Sequence, residues 1–335
     1  MAESNEGFDL PSLVALLSRH AFQTIAIQFP DEFIHLCTQV YEDLALALHE
    51  NTFVYIITDS TFGSSVDDIS AAHVNAEVLI YFGSDLSSSG SIPVIVVPFR
   101  RAIDIPHCVA ALLSSCLASG RDENRTATTI LCMDPEYFHA GDELVKALSS
   151  AAAGVTSAVV LAQTASCANL EDWSPETLKS AESSRQPNQV SLGNLTIPAT
   201  TLGNPFSICY IGNNKSQLQA IMLKLPSSKV THYNPLDKSC TRRVGEETKE
   251  FTGRYGGISR VKDANIIGII VGSMGLTGEL TRTVIKRLQT LISAAGKHHY
   301  TFVMGRLNEA KLCNFPEIDL FCMIANDSCS VIQPK

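Results

Sequence analysis

From residue 24 to residue 325 the chain alternates short runs of β-branched and apolar residues with stretches whose apolar positions recur at helical spacing. This alternation restricts the fold more than any other feature. Strands joined through helices run parallel, and a parallel sheet must be covered by helices on its faces. The runs TIAIQFP (24–30), TFVYIIT (52–58), AEVLIYFG (76–83) and PVIVVPF (93–99) predict four strands. DEFIHLCTQVYEDLALALHE, between the first two, predicts an amphipathic helix opened by Asp31 as its N-cap.

The same rhythm continues. PHCVAALLSSCLASG and EYFHAGDELVKALSSAAAG predict helices around the strands TATTILCM and SAVVLA. Residues 165–204, rich in Ser, Asn, Pro and Thr and holding the only Trp, predict a long surface loop. A last group runs from the strand FSICYIG through the helix NKSQLQAIMLKL, the strand KVTHYNP, a polar helix over 241–260, the strand ANIIGIIVG, the helix ELTRTVIKRLQTLISAAG and the strands YTFVMG and DLFCMIA. NAEVLIYFGS and DANIIGIIVGS echo each other. The expected architecture is α/β, with three related units over 1–100, 101–205 and 206–335, each a small, mainly parallel sheet flanked by helices.

Composition agrees: 45% hydrophobic and 18% charged residues suit a folded chain with buried parallel strands. A net charge of −9 argues against a protein that wraps nucleic-acid phosphates, which requires a basic face. The acidic N-terminus MAESNEGFDL lacks the basic, then apolar, pattern of a signal peptide, and no apolar run reaches membrane-spanning length, so a cytoplasmic location is expected. Ten cysteines contain no C-x-x-C pair, which disfavours a zinc ribbon or a thioredoxin-type site. Cys108, Cys116, Cys132 and Cys209 stand among apolar neighbours and are expected as core residues.

Four places could carry chemistry. In GIIVGSMGLTGEL a buried strand opens through Gly272, Gly275 and Gly278 into a helix, which suits either a ligand meeting free N–H groups or a tight structural turn. Cys240 lies beside Lys238, Arg242 and Arg243, consistent with an activated thiol or with the exposed start of a helix. His298 and His299 follow Lys297 at an expected helix end, where they would oppose the helix dipole. Asp67 and Asp68 could be paired carboxylates or ordinary first-turn residues of the following helix.

QFPDEF, TDSTFG, VDDISAAHVNAEVLIYFG, RVKDANIIGIIVGSMGLTG and AAGKHHYTFVMGRLNEAKLCNFPEIDLFCMIA together resemble the diphthamide biosynthesis proteins that form 2-(3-amino-3-carboxypropyl)histidine synthase. VKDANIIGIIVG and GRLNEAKLCNFPEID resemble the eukaryotic subunit 2 type in particular, and the likeness spans residues 20–100 and 230–325. The resemblance implies a three-domain α/β protein, a [4Fe–4S] cluster held by cysteines of separate domains, and radical use of S-adenosylmethionine. The implied reaction moves a 3-amino-3-carboxypropyl group onto a histidine of elongation factor 2. It further implies a subunit 1 homologue that carries the catalytic cluster, a subunit 2 that assists its assembly or reduction, and an electron-donor protein, without direct nucleic-acid or membrane contact.

Departures from the family pattern fall on the cluster ligands. The family carries cysteine in the loop that is FGSSVDD here, with Ser64 and Ser65 in its place, and again after LIYFG, where this chain has SDLSSSG. After MIA the family cysteine is replaced by Asn326, and Cys329 stands displaced behind it as a candidate metal ligand; Cys240, Cys313 and Cys329 all lie in the third unit and could converge, but their spacing matches no ferredoxin run. Leu276 follows the second glycine of the Gly272–Gly278 loop where the catalytic subunit carries Arg. Iron–sulfur clusters are held by thiolates, so the expected role is accessory, with the cluster and S-adenosylmethionine acting at the level of the complex. Other readings of the same residues are a self-sufficient α/β enzyme binding S-adenosylmethionine or a nucleotide at Gly272, Gly275 and Gly278, and a degenerate paralogue with a structural role. Family members also extend beyond the position of Lys335, so a divergent or truncated form is expected.

Overall fold

The structure, a computed structural model, describes residues 7–58, 66–84, 92–117, 128–151, 158–164, 189–192, 195–203, 206–244, 249–271, 279–304 and 308–324. The chain forms two compact units, Met1–Ser12 with Val97–Thr252, and Leu13–Val96 with Gly253–Lys335. The expected α/β architecture of parallel sheets flanked by helices is observed.

The second unit holds two sheets. In the first, β1 (Thr24–Gln28), β2 (Phe53–Ile57), β3 (Val78–Tyr81) and β4 (Val94–Val96) lie parallel in the order β2-β1-β3-β4. β3 and β4 are buried on both faces, which is why their sequences are continuous apolar runs instead of alternating ones. Leu13, Leu16 and Leu17 of α1 (Leu10–His20), and Val40 and Leu44 of α2 (Cys37–Ala47), recur at helical spacing and are buried. The N-cap expected of Asp31 is not formed. Asp31 opens a 3₁₀ turn, Asp31–Leu36, whose N-cap is Pro30 without a side-chain bond, and α2 begins only at Cys37.

The other sheet of this unit comprises β13 (Ile266–Val271), β14 (His298–Val303) and β15 (Leu320–Ile324), parallel, in the order β14-β13-β15. Ile267 and Ile269 face Leu288 and Ile292 of α8 (Glu279–Ala294). Gly268, on the opposite parity, makes room for rings: a Cβ there would lie 2.7 Å from Phe321 and 3.0 Å from Ile318.

The first unit is built on a five-stranded sheet of order β12-β11-β10-β5-β6, from β5 (Thr128–Met133), β6 (Val159–Leu161), β10 (Phe206–Ile211), β11 (Lys229–Asn234) and an antiparallel edge strand β12 (Ser239–Val244). Strand alternation divides the core. Leu131, Met133, Cys209, Ile211 and Tyr233 face α4 (Ile105–Leu117) and α5 (Gly141–Ala151). Ile130, Cys132, Ile208, Tyr210 and Val230 face α6 (Lys215–Lys224) and a small antiparallel sheet.

Three features differ from the sequence pattern. β10 and β11 complete the sheet begun by β5, so this sheet straddles residue 205, where the pattern of repeated units sets a boundary. Within the expected loop 165–204, β9 (Leu195–Pro198) pairs antiparallel with β8 (Gln189–Leu192) on one side and β7 (Gln163–Thr164) on the other, and Leu192, Leu195 and Ile197 are buried in the core; residues 165–188 lie outside the described ones. Residues 241–244, expected in a helix, belong to β12, because a turn at 235–238 returns the chain antiparallel to β11; the helix α7 spans Lys249–Asp263. The side chain of Asn234 fixes that turn, accepting from the N–H of Leu236 and donating to Asp237.

Candidate functional site

In an open parallel sheet a ligand site lies beyond the C-terminal ends of the strands, where neighbouring strands connect in opposite directions. The five-stranded sheet reverses between β5 and β10. There Asp134 follows β5 and is 5% exposed. Its Oδ2 accepts the N–H groups of Asn213 at 2.7 Å and Asn214 at 2.9 Å, and its Oδ1 accepts the Tyr210 hydroxyl. Tyr210 Oη also lies 3.0 Å from the Asn214 carbonyl. Gly212 holds φ at +154°, and a Cβ there would stand 2.1 Å from Asp134 Oδ2. His232 Nε2 lies 2.9 Å from the Gly212 carbonyl oxygen.

Burial drives the Asp134 carboxyl above the ordinary carboxylate range, while the bonds from Tyr210, Asn214 and Asn213 and the nearby His232 oppose that shift. Burial together with Asp134 also drives the Tyr210 hydroxyl well above its usual range. The N–H groups entering α6 are thus met by the protein's own carboxylate, in the position where an α/β sheet offers them to an anion. Asp134 does not stand out in the sequence, because Asp-Pro-Glu after a strand is also an ordinary helix start; Gly-Asn-Asn directly after β10 is the signal that points to it.

The four-stranded sheet reverses between β1 and β3, and its strands end in register at Gln28, Ile57 and Tyr81. Gln28 Oε1 accepts the Asp67 N–H at 2.9 Å. Asp67 caps α3 (Asp68–His73), its Oδ1 accepting Ser70 N–H at 3.0 Å and its Oδ2 accepting Ser70 Oγ–H at 2.7 Å. Phe29 and Phe82, the residues directly after β1 and β3, stack on each other with ring centroids 4.5 Å apart. Asp67 therefore has both oxygens committed to a helix start, the plainer of the two readings of the Asp67–Asp68 pair.

The remaining expectations separate clearly. Gly272, Gly275 and Gly278 follow β13, and Cys329 follows β15, outside the described residues, as do Ser64, Ser65, Leu276 and Asn326. What the structure places is the edge they leave from, since Val271 is in register with both Val303 and Ile324. Cys108, Cys132 and Cys209 are buried core residues, and burial pushes the thiols of Cys108 and Cys132 up to about 12. The side chain of Cys116 lies outside the described residues.

Cys240 is not at a helix start but on β12, packed against the core beside Tyr233, and Lys238 is engaged with Asp104 at 2.7 Å. His298 and His299 open β14 instead of closing a helix. The dipole argument holds for Lys297 at another helix: its Nζ donates to the carbonyls of Val261 at 3.1 Å, Lys262 at 2.7 Å and Ala264, at the C-terminus of α7.

Among the described residues no three His, Cys, Asp or Glu side chains gather as a metal site. The thiols of Cys108 and Cys132 do not fit an iron–sulfur cluster, because burial in the core favours their protonated form, and thiolates are what iron requires. No described helix is long and apolar enough to cross a membrane.

Comparison with known proteins gives a consistent answer. The family model for diphthamide synthesis proteins matches residues 29–335. The chain is 32% identical to 2-(3-amino-3-carboxypropyl)histidine synthase subunit 2 of Xenopus laevis, over 96% of this chain and 62% of that protein. It is 29% identical to the subunit 2 of Danio rerio, over 95% and 62%, and 28% identical to that of Schizosaccharomyces pombe, over 98% and 61%. The chain spans about 62% of the length of the first of these relatives. Dph2 from Pyrococcus horikoshii shares the fold, with a TM-score of 0.66 at 17% identity over 96% of this chain and 84% of that one. A second structure of the same protein, with a 4Fe-4S cluster, matches with the same score over 95% and 84%.

Proposed function

Because the chain belongs to the diphthamide synthesis protein family, we propose that it acts as the subunit 2-type component of a two-subunit 2-(3-amino-3-carboxypropyl)histidine synthase. The reaction of that complex is transfer of a 3-amino-3-carboxypropyl group from S-adenosylmethionine to a histidine of elongation factor 2. This chain assists assembly or reduction of the cluster on its subunit 1 partner and holds no cluster itself. The observation that carries the reading is the likeness to subunit 2 proteins across nearly the whole chain; Ser64, Ser65 and Asn326, which stand where the resemblance implies cysteine ligands, support it.

The chemistry follows from the donor set. Neutral hydroxyl and amide oxygens are poor ligands for cluster iron, and Cys329 alone cannot hold a cubane. The loops after β2, β3, β13 and β15 then serve the contact with the partner or its reductant.

Three measurements test this together. Anaerobic reconstitution of the purified chain is expected to leave substoichiometric iron and sulfide, and adding the chain to a cluster-loaded subunit 1 homologue is expected to raise modification of elongation factor 2. In cells, loss of the chain is expected to protect elongation factor 2 from toxin-catalysed ADP-ribosylation. Stoichiometric iron and sulfide on the isolated chain would overturn the accessory role; unchanged toxin sensitivity would overturn the pathway.

A further inference from the structure

Between Arg19 and Arg100 the chain contains ten Asp and Glu residues and no Lys or Arg, so the whole net charge of −9 arises in this stretch. The same stretch builds the four-stranded sheet with α2 and α3. Asp31, Glu32, Glu42, Asp43 and Glu50, on α2 and the turns at its two ends, are exposed. A surface of this sign repels nucleic-acid phosphates, anionic lipid and a second copy of this chain alike. It attracts a cationic partner.

β2 is the open edge of that surface. Among the described residues its one neighbour is β1, and α2 packs against it. Phe53 is 62% exposed, Tyr55 43% and Ile56 36%, which uncovers both faces of the strand. Soluble proteins protect such edges with charge, proline or a bulge. Thr52–Thr58 contains neither charge nor proline, and β2 keeps its register with β1 from Phe53 to Ile57 without a bulge.

Hydrogen-bonding parity determines what can pair there. Phe53 N–H donates to the Gln23 carbonyl at 2.8 Å, toward β1. Successive residues of a strand turn their N–H and C=O groups to opposite sides, so Val54 and Ile56 present theirs outward. An extended segment laid along β2 meets main-chain donors and acceptors at Val54 and Ile56 and apolar side chains on both faces. Apolar contact and main-chain bonds suit many occupants; the carboxylates around them select the charge of the one that binds.

We infer that β2 docks an extended, lysine- or arginine-bearing segment of another protein, added as a further strand of the four-stranded sheet and drawn there by the field of the α2 carboxylates. The inference is independent of the diphthamide reading, and its failure leaves that reading intact.

The probe is a synthetic peptide alternating valine with lysine, compared with the same peptide carrying glutamate in place of lysine. Fluorescence anisotropy with the purified full chain is expected to show saturable binding of the lysine peptide, at least about tenfold tighter than the glutamate peptide and weaker as salt rises. Hydrogen exchange at Val54 and Ile56 should slow when the lysine peptide is added. Val54→Pro removes an outward N–H and leaves the bond from Phe53 to Gln23 in place, so it should weaken binding about tenfold. Replacing Glu42 and Glu50 by Gln and Asp43 by Asn should weaken binding and flatten its salt dependence, with circular dichroism confirming the fold of both variants. Absence of saturable binding, equal affinity for the two peptides, binding that leaves exchange at Val54 and Ile56 unchanged, or affinity indifferent to Val54→Pro would each overturn the inference. Protection of Val54 and Ile56 that rises with protein concentration in the absence of peptide would also overturn it, by placing a second copy on the strand.

Discussion

The reversal points of the five-stranded and four-stranded sheets are both closed, by different chemistry. Over the five-stranded sheet a buried carboxylate, Asp134, ties the end of β5 to the main chain entering α6 and to Tyr210. Over the four-stranded sheet the closure is an amide-to-backbone bond from Gln28, a helix cap by Asp67 and the stacked rings of Phe29 and Phe82. In the first case the acceptor for the free N–H groups of a helix start is built in, so an external anion there would have to displace a side chain hemmed in by Gly212. The difference assigns the five-stranded sheet a structural role and leaves the strand ends at Ile57 and Tyr81 of the four-stranded sheet, and at Val271 and Ile324 of the three-stranded one, as the places from which the proposed functional loops depart.

The largest expected effect therefore falls on Asp134. Asp134→Ala strands the N–H groups of Asn213 and Asn214 and leaves the Tyr210 hydroxyl one acceptor, at a cost of about 3 kcal/mol or more in denaturant-derived stability. Asp134→Asn keeps an oxygen for both N–H groups and offers its amide to the Tyr210 oxygen, which can then donate to the Asn214 carbonyl. It should lose far less. Equal losses for Ala and Asn would mean that the carboxylate is not the organising group.

The same residue gives the comparison a pH axis. With its folded pKa raised above the ordinary value of 3.8, Asp134 keeps its proton in the folded state where the unfolded chain has released it. Its contribution is fully present below that ordinary value and is lost as pH rises through the folded pKa. Asp319 behaves oppositely: N–H groups of Ile266 and Asn265 hold its carboxyl below the usual range, so its contribution is lost as pH falls. Unfolding free energies of the wild type and Asp134→Asn, measured from about pH 4 to pH 8, should diverge with rising pH, the Asn protein gaining relative to the wild type. Parallel curves would remove the protonation argument.

How far these closures are legible in the sequence follows from the distances along the chain. The buried parallel strands are legible because both faces are covered, which makes each an uninterrupted apolar run, as in VLIY and IIGIIV. Asp67 is legible as a cap because its partner, Ser70, lies three residues away. Asp134 is not, since its partners stand 76 to 80 residues later and only sheet pairing brings them together. β12 escapes the pattern because Ser239, Thr241, Arg242 and Arg243 are polar and exposed, so the edge strand is defined by its turn and its pairing instead of by apolar periodicity. β8 and β9 escape because composition around them is that of a loop, while burial of Leu192, Leu195 and Ile197 decides their structure.

The smallest expected effect sharpens the comparison from the other side. Asp67→Ala removes the cap of α3, a helix of six residues, and costs about 1 kcal/mol. The loss stays local, because the Asp67 N–H still donates to Gln28 Oε1, and the stacked pair Phe29–Phe82 is untouched. Hydrogen exchange at Ser70 should accelerate while amides of β1 and β3 keep their protection. Asp67→Asn, which retains an acceptor for Ser70 N–H, should restore most of it. A loss as large as that of Asp134→Ala would mean that the edge of the four-stranded sheet also depends on a buried carboxylate, and the two closures would then be one device used twice.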